Sequence, residues 1–152
     1  MKFIQVYADT SVFGGVYDAE FRSASRLFMD QVKSGRIVLF TSAVVQAEIF
    51  YAPKRVQDSF AKLIDRMKIL EVTESALNLR DAYLKASIVP KTYSTDALHV
   101  AVASVSRCPI IASWNFKHIV HFGKIAQYNA VNLLEGFTSL SIHSPAEVID
   151  YE

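Results

Sequence analysis

The segment FIQVYADTS at residues 3–11 is the strongest structural signal in the sequence. Residues 3–8 form an apolar run that only Gln5 interrupts, and such a run predicts a buried β-strand. Asp9, Thr10 and Ser11 follow without a gap and end the strand. The first predicted element is therefore a core strand with polar side chains at its carboxyl end, and the rest of the sequence indicates what surrounds it.

Strand and helix patterns alternate along the chain. Further strands are predicted at residues 37–41, 69–72 and 110–112, with an edge strand at 140–142. Helices are predicted at residues 21–34, 43–52, 53–67, 73–87, 94–106 and 124–134, with Ser42, Thr73 and Ser94 or Thr95 as N-caps and Gly14-Gly15 in a loose connection. This alternation indicates an α/β fold with a mostly parallel sheet and right-handed crossovers. Because no stretch has the composition of a linker, we expect one domain over residues 1–152.

Composition and charge exclude several classes of protein. Hydrophobic residues make up 51% of the chain and charged residues 20%, which excludes intrinsic disorder. The 16 basic and 15 acidic residues nearly cancel, so the chain does not coat nucleic acid by net charge alone. The apolar runs are far shorter than the about 20 residues of a membrane-spanning helix, and the single cysteine, Cys108, rules out an intrachain disulfide. We therefore expect a cytoplasmic protein with no membrane partner, whose apolar excess could cover a protein interface.

Three acidic residues stand in apolar surroundings with no Lys or Arg within three positions: Asp9, Glu48 and Asp96. Acidic residues are rarely buried unless they are paired or bind a metal. Asp9 ends the first strand, Glu48 lies about two turns into the helix after the second strand, and Asp96 lies in the first turn of a later helix. If the strands run parallel, these segments and residues 113–116 can meet at one edge of the sheet, where open parallel sheets bind ligands.

Carboxylates that meet at one edge repel each other, and a cation removes that repulsion. Their hard oxygen atoms suit Mg²⁺ or Mn²⁺. A bound ion of this type activates water and stabilises the displacement of a phosphoryl group. Three scattered acids are a weak signal, and the spacing is also compatible with acids that never meet, so a metal site is one of two interpretations at this point.

Several short motifs carry a wider resemblance. They are YADTS at residues 7–11, TS at 41–42 with AEI at 47–49, DALHVA at 96–101, SWNFKHI at 113–119, and two tail segments at 129–132 and 144–149. In this order and spacing they resemble the PIN domain family of metal-dependent ribonucleases, and within it the VapC-type toxins of prokaryotic toxin–antitoxin systems. The resemblance covers nearly the whole chain.

The resemblance implies a PIN-like three-layer α/β/α fold with a central, mostly parallel sheet. It also implies an endoribonuclease that depends on Mg²⁺ or Mn²⁺ and leaves 5′-phosphate ends. The acidic motif positions of the family fall on Asp9, Glu48 and Asp96, which would be both catalytic and metal-binding. Asp9 and Asp96 would bind the metal directly, and Glu48 would bind it through water or orient the attacking water. The family often has a further acid where this sequence has Asn115, so one or two metal ions are possible.

Six polar residues near these acids are candidate supporting or substrate-contacting groups. They are Thr10, Ser11, His99, Ser113, Asn115 and Lys117. The hydroxyl groups could equally serve turns or caps, and His99 is more typical of a histidine in the core or behind a metal ligand. Lys117 belongs to a basic stretch with His118 and His121 that could contact phosphates or be solvated.

The expected partners follow from the same resemblance. A VapC-type toxin cleaves RNA, is held inactive by a cognate antitoxin that lies in a groove, and forms a homodimer. The competing hypothesis is a degenerate PIN domain that binds RNA or a protein without cleaving it. The three acids favour the ribonuclease, whereas Asn115 favours the degenerate domain.

Overall fold

The computed structural model describes residues 2–150. Its central sheet has five strands, which pair in parallel in the order β3-β2-β1-β4-β5. The strands are β1 (Ile4–Ala8), β2 (Ile37–Ser42), β3 (Met67–Leu70), β4 (Ile110–Ala112) and β5 (Ser141–His143). Each strand falls on one of the predicted apolar runs, with β5 at an edge, so the predicted α/β fold is confirmed.

Helices connect the strands and cover both faces of the sheet. In the described part of the chain they are α1 (Thr10–Gly15), α2 (Arg22–Lys33), α3 (Ala43–Ile49), α4 (Lys54–Lys62), α5 (Glu74–Lys85), α6 (Ser94–Val105), α7 (Phe122–Leu134) and α8 (Pro145–Ile149). Ser42 and Thr73 cap α3 and α5 as predicted, because their side chains accept hydrogen bonds from the backbone N–H groups of Val45 and Ala76. None of the helices within residues 2–150 has both the length and the hydrophobicity needed to cross a membrane.

The sheet separates two apolar cores. Tyr7 of β1 packs into one cluster with side chains of α5, α6 and α7, whereas Val6 and Ala8 pack into a second cluster with α1 to α4 and α8. β4 divides in the same way, with Ile111 in the first cluster and Ala112 in the second. Successive residues of a strand point to opposite faces, so each strand supplies both cores. The result is the three-layer α/β/α arrangement that the resemblance implies.

Three local predictions are wrong. Gly14 and Gly15 do not form a loose connection, since they complete helix α1 directly after Asp9. The helix predicted over residues 53–67 ends at Lys62, because a 3-10 turn over Ile64–Arg66 then leads into β3. Neither Ser94 nor Thr95 caps α6, which begins at Ser94 after a second 3-10 turn and has no side-chain hydrogen bond at its N-cap.

Candidate active site

Asp9 lies at the centre of the carboxyl edge of the sheet. It follows β1, the middle strand, and is 4% exposed. Ser11 Oγ donates a hydrogen bond to Asp9 Oδ1, and Ser113 Oγ donates one to Oδ2, each at 2.6 Å. Ser113 reaches Asp9 because it follows β4, whose Ala112 pairs with Ala8 of β1. The parallel register therefore brings together two side chains that are 104 residues apart in the sequence.

Two backbone N–H groups fix the direction of these hydroxyl groups. Trp114 N donates to Ser11 Oγ at 2.8 Å, and Asn115 N donates to Ser113 Oγ at 2.9 Å. Since each hydroxyl oxygen already accepts one hydrogen bond, its own hydrogen is left for Asp9. The Asn115 side chain serves the turn itself, because its Oδ1 accepts a hydrogen bond from the His118 backbone N–H at 2.9 Å. The turn after β4 is thus built to hold the Asp9 carboxylate.

Burial makes the negative charge of Asp9 costly. It raises the pKa of Asp9 above the usual range, and the charge of His99 and the hydrogen bonds from Ser11 and Ser113 offset only part of that effect. Asp9 takes part in none of the ion pairs among residues 2–150. A cation at this edge of the sheet would therefore lower the cost of ionising a buried carboxyl group.

Glu48 has a different environment from Asp9. It lies in the last turn of α3, and its side chain is 40% exposed. Its Oε1 accepts a hydrogen bond from Thr10 Oγ1 at 2.8 Å and lies 2.7 Å from His99 Nε2. Burial raises the pKa of Glu48, but the hydrogen bond and charge of His99, together with the Thr10 hydroxyl, outweigh it and hold that pKa below its usual value. Glu48 is therefore ionised more readily than Asp9.

His99 is buried behind Glu48, with 2% of its surface exposed. Its Nδ1 lies 2.8 Å from the Tyr7 hydroxyl, and that hydroxyl lies 2.8 Å from Ser42 Oγ. Ser42 Oγ also accepts the capping hydrogen bond from the Val45 N–H group. A continuous series of hydrogen bonds therefore runs from the N-cap of α3 through the core to Glu48.

Asp96 lies in the first turn of α6, three residues before His99, so the two side chains are on the same side of the helix. It is partly buried. Among residues 2–150, no hydrogen bond or ion pair joins its carboxyl group to another side chain. His118 and Tyr128 lie close enough to experience its charge. Asp96 is thus a carboxylate with unused acceptor capacity near the residues that hold Glu48.

The three acids do not form a closed set of metal ligands. Within residues 2–150, no three His, Cys, Asp or Glu side chains are arranged so that they could hold a metal ion. The chemistry of the donors nevertheless fits Mg²⁺, which is usually bound through one or two carboxylates and keeps several water ligands. Each oxygen of Asp9 accepts one hydroxyl hydrogen bond and retains a further lone pair. The residues therefore fit a divalent ion that keeps much of its water.

His118 is placed differently from either interpretation of its basic stretch. It is buried rather than solvated, at 5% exposure, and neither of its ring nitrogens has a hydrogen-bond partner within residues 2–150. Its ring centroid lies 4.1 Å from that of Tyr93, and the exposed Lys117 places its Nζ 5.1 Å from the Tyr93 ring centroid. Burial lowers the pKa of His118, and the negative charge of Asp96 opposes this decrease. His121 is exposed and caps α7.

Comparisons with known proteins identify the family and the fold of the chain. A family model for the PIN domain matches residues 6–119, which include all three acids. Solved structures with a similar fold include DNA-bound VapBC from Salmonella typhimurium, at 15% identity over 94% of this chain and 99% of that chain with a TM-score of 0.57. FitAcB from Neisseria gonorrhoeae gives 12% identity, 92% and 97% coverage and a TM-score of 0.57. VapC20 from Mycobacterium tuberculosis, a toxin that cleaves the sarcin-ricin loop, gives 15% identity, 90% and 98% coverage and a TM-score of 0.52.

At these identities the solved structures show the shared fold, and no curated protein matches the chain. The family model is the stronger finding, because it spans well over half of the sequence. It begins within β1 and ends after the turn that holds Asp9, and so covers the elements that build the site. The chain therefore belongs to the PIN domain family.

Proposed function

We propose that the chain is a Mg²⁺- or Mn²⁺-dependent endoribonuclease and the toxin of a toxin–antitoxin pair. The observation that carries this proposal is the environment of Asp9, a carboxyl group buried at the carboxyl end of the central strand and held by two hydroxyl donors. A buried carboxyl group of this kind adds little stability to a protein, and the binding of a divalent cation would explain why it is there. Membership of the PIN domain family makes RNA cleavage the first activity to test.

In this proposal the three acids have complementary roles in metal binding and in the orientation of water. Asp9 and Asp96 would hold the metal ion, which lowers the pKa of a water molecule and offsets charge on the scissile phosphate when it is bound. Ser11 and Ser113 keep the Asp9 carboxylate in one orientation, so that little reorganisation accompanies the reaction. Glu48 would bind the same ion through water or orient the attacking water.

The proposed partners are RNA, an antitoxin and a second copy of the chain, in the cytoplasm, with residues 1–152 acting as one domain. The similar VapBC structure carries DNA. In this chain, α1, α2 and α4 border a cavity of about 610 Å³ whose lining includes Phe13 and Met29 and four basic side chains: Arg26, Lys33, Lys62 and Arg66. Such a groove suits an apolar antitoxin segment that carries acidic residues. Phe122 and Leu134 of α7 are exposed and offer apolar surface for a second copy.

A non-catalytic PIN domain is the second candidate. Two observations favour it: the absence of a three-residue ligand group within residues 2–150, and Asn115 in the place of a further acid, with its side-chain oxygen engaged in the turn. In that case the protein would bind RNA or a protein partner and would cleave nothing. Asp9 would then be a buried acid whose only role is structural.

Substitution of the two candidate metal ligands separates these functions. We expect Asp9→Asn and Asp96→Asn each to lower metal-dependent RNA cleavage by on the order of 100-fold or more, because a metal ion supplies several kcal/mol of charge stabilisation in the transition state. Asp81→Asn is the matched control, since Asp81 pairs with Arg80 on the surface of α5. Cleavage of labelled RNA, with identification of 5′-phosphate ends and circular dichroism to confirm folding, provides the measurement. Full activity in folded Asp9→Asn would sink the proposal.

A further inference from the structure

The hydrogen bonds behind Glu48 have a definite direction. A carboxylate can only accept, so His99 Nε2, at 2.7 Å from Glu48 Oε1, must carry a hydrogen. His99 has a charge that acts on Asp9 and Glu48 only when both ring nitrogens are protonated. In the neutral ring, the form to which this series applies, the other nitrogen, Nδ1, is an acceptor. The Tyr7 hydroxyl, at 2.8 Å, therefore donates to His99 Nδ1.

The rest of the series is consistent with that direction. Once the Tyr7 hydroxyl donates to His99, its oxygen accepts a hydrogen bond from the Ser42 hydroxyl at 2.8 Å. Ser42 Oγ in turn accepts from the Val45 N–H group, which is fixed by the start of α3. Each donor in the series is thus paired with an acceptor. The series begins at the Val45 N–H group, which the helix backbone holds in place, and ends at the Glu48 carboxylate.

The opposite tautomer of His99 breaks the series. A hydrogen on Nδ1 would leave the lone pair of Nε2 facing the Glu48 oxygen at 2.7 Å and remove that hydrogen bond. Tyr7 is fully buried and His99 is 2% exposed, so water offers no replacement partner at these atoms. Burial also raises the pKa of Tyr7, which keeps its hydroxyl group protonated and able to donate.

The hydrogen-bond series fixes one of the two carboxylate oxygens of Glu48. Thr10 Oγ1 and His99 Nε2 both bond Oε1. Within residues 2–150, no hydrogen bond to Oε2 accompanies them, and the side chain is 40% exposed. Oε1 is therefore anchored to the protein, and Oε2 is the oxygen available to water or a ligand.

We propose that Tyr7 and His99 are positioning residues for Glu48: the Tyr7 hydroxyl holds the His99 ring at Nδ1, and the Nε2–H group of His99 holds Oε1 so that Oε2 faces the reacting groups. The catalytic consequence rests on the proposed ribonuclease function, whereas the tautomer does not. A group that orients another in this way usually changes activity about 10- to 100-fold when it is removed.

The tautomer can be measured in the wild-type protein without RNA or metal. Long-range ¹⁵N–¹H correlation spectra distinguish a histidine ring with hydrogen on Nε2 from one with hydrogen on Nδ1. At about pH 8, we expect the His99 ring to show the Nε2–H pattern alone. An Nδ1–H pattern, an equal mixture, or a ring protonated on both nitrogens would overturn the proposal whatever the protein does to RNA.

Tyr7→Phe then tests the role of the single hydroxyl group. We expect His99 to keep its Nε2–H tautomer, because the Glu48 carboxylate still accepts that hydrogen. The ¹⁵N signal of His99 Nδ1 should shift once the Tyr7 hydrogen bond is lost. The kcat for RNA cleavage should fall about 10- to 100-fold, with KM unchanged because His99 is too deeply buried to touch substrate. Tyr83→Phe is the matched control, since Tyr83 is equally buried and its hydroxyl bonds Ser104 and Asn132 instead. Equal kcat losses in the two variants, or a Tyr7→Phe protein with an unchanged His99 spectrum, would contradict it. If wild-type protein shows the Nε2–H tautomer and cleaves no RNA, the positioning stands and the proposed function fails.

Discussion

Burial makes the negative charge of Asp9 unfavourable for the stability of the protein. Its raised pKa means that the folded protein holds a proton at Asp9 more tightly than the unfolded chain does. The free energy of unfolding therefore falls as pH rises from the unfolded value of 3.8 through the higher folded value, and a cost is present at neutral pH. This is the energetic pattern of a group kept for function rather than for stability.

Asp9→Asn removes this cost, because an amide has no charge to desolvate. Without metal at about pH 7, we expect the variant to have a higher free energy of unfolding than the wild type, and the difference to disappear below the unfolded pKa of 3.8. Urea denaturation in the presence of a chelator, repeated over this pH range, measures it. Added Mg²⁺ should stabilise the wild type and leave the variant unchanged, because only the wild type gains a ligand. A variant less stable than the wild type at neutral pH would show that the Asp9 charge is stabilised by the protein itself.

The side chains differ in how far the sequence predicts them. An acid directly after a buried strand marks Asp9, because few other positions leave a carboxyl group so near a core. His118 gives no such signal, since its burial depends on Tyr93, which lies 25 positions away and packs over it only in the folded chain. Tyr7 and His99 are 92 positions apart in the sequence, so local sequence patterns do not predict their contact either. A tyrosine in a core strand indicates only that its hydroxyl needs a partner.

Helix α1 connects the acidic edge of the sheet to the outer helices, and its packing depends on one glycine. A Cβ at Gly15 would lie 2.5 Å from Ser25 Oγ and 2.8 Å from Trp114 Nε1. Those two atoms hydrogen-bond each other at 2.8 Å, and the Trp114 ring stacks on Phe21 at 4.2 Å between centroids. Since Trp114 N also donates to Ser11, this contact supports the group that holds Asp9.

Gly15→Ala is therefore expected to lower the free energy of unfolding by about 1–3 kcal/mol, the usual cost of forcing an extra methyl group into a packed site. Gly14→Ala in the same helix is the matched control, because a Cβ there would meet nothing within 4 Å. It should be neutral or stabilising by up to about 1 kcal/mol, since alanine favours helix. Denaturant midpoints of the two variants decide the matter, and equal destabilisation would refute the close-packing explanation.

The same helix shows why some elements escape prediction. Two adjacent glycines favour a loop on propensity alone, and α1 is too short for its apolar periodicity to outweigh them. The reason for Gly15 is a contact with α2 and with the turn after β4, which are distant in sequence. In contrast, α3 and α5 were predictable at their starts because Ser42 and Thr73 cap them through local hydrogen bonds.

The topology of the whole sheet brings residues of the candidate site together from distant parts of the sequence. β1 is central, with β2 and β4 on either side, so Asp9, Ser42 and Ser113 all end neighbouring parallel strands. Alternating strand and helix patterns predict the parallel sheet and the shared edge, whereas the order of the strands depends on pairings between distant segments. The net charge of +1 gave no sign of an acidic edge, because basic residues elsewhere, including those around the groove between α1, α2 and α4, balance it.

Binding of Mn²⁺ and cleavage of RNA by one preparation of the full chain test the central claim most directly. Mn²⁺ binding is followed by electron paramagnetic resonance, and cleavage is followed on the same sample before and after a chelator. We expect the wild type to bind Mn²⁺, to cleave RNA only while the ion is present, and to lose both properties on Asp9→Asn. Folded wild-type protein that binds no Mn²⁺ and cleaves no RNA, or cleavage that continues undiminished in the chelator, would contradict it.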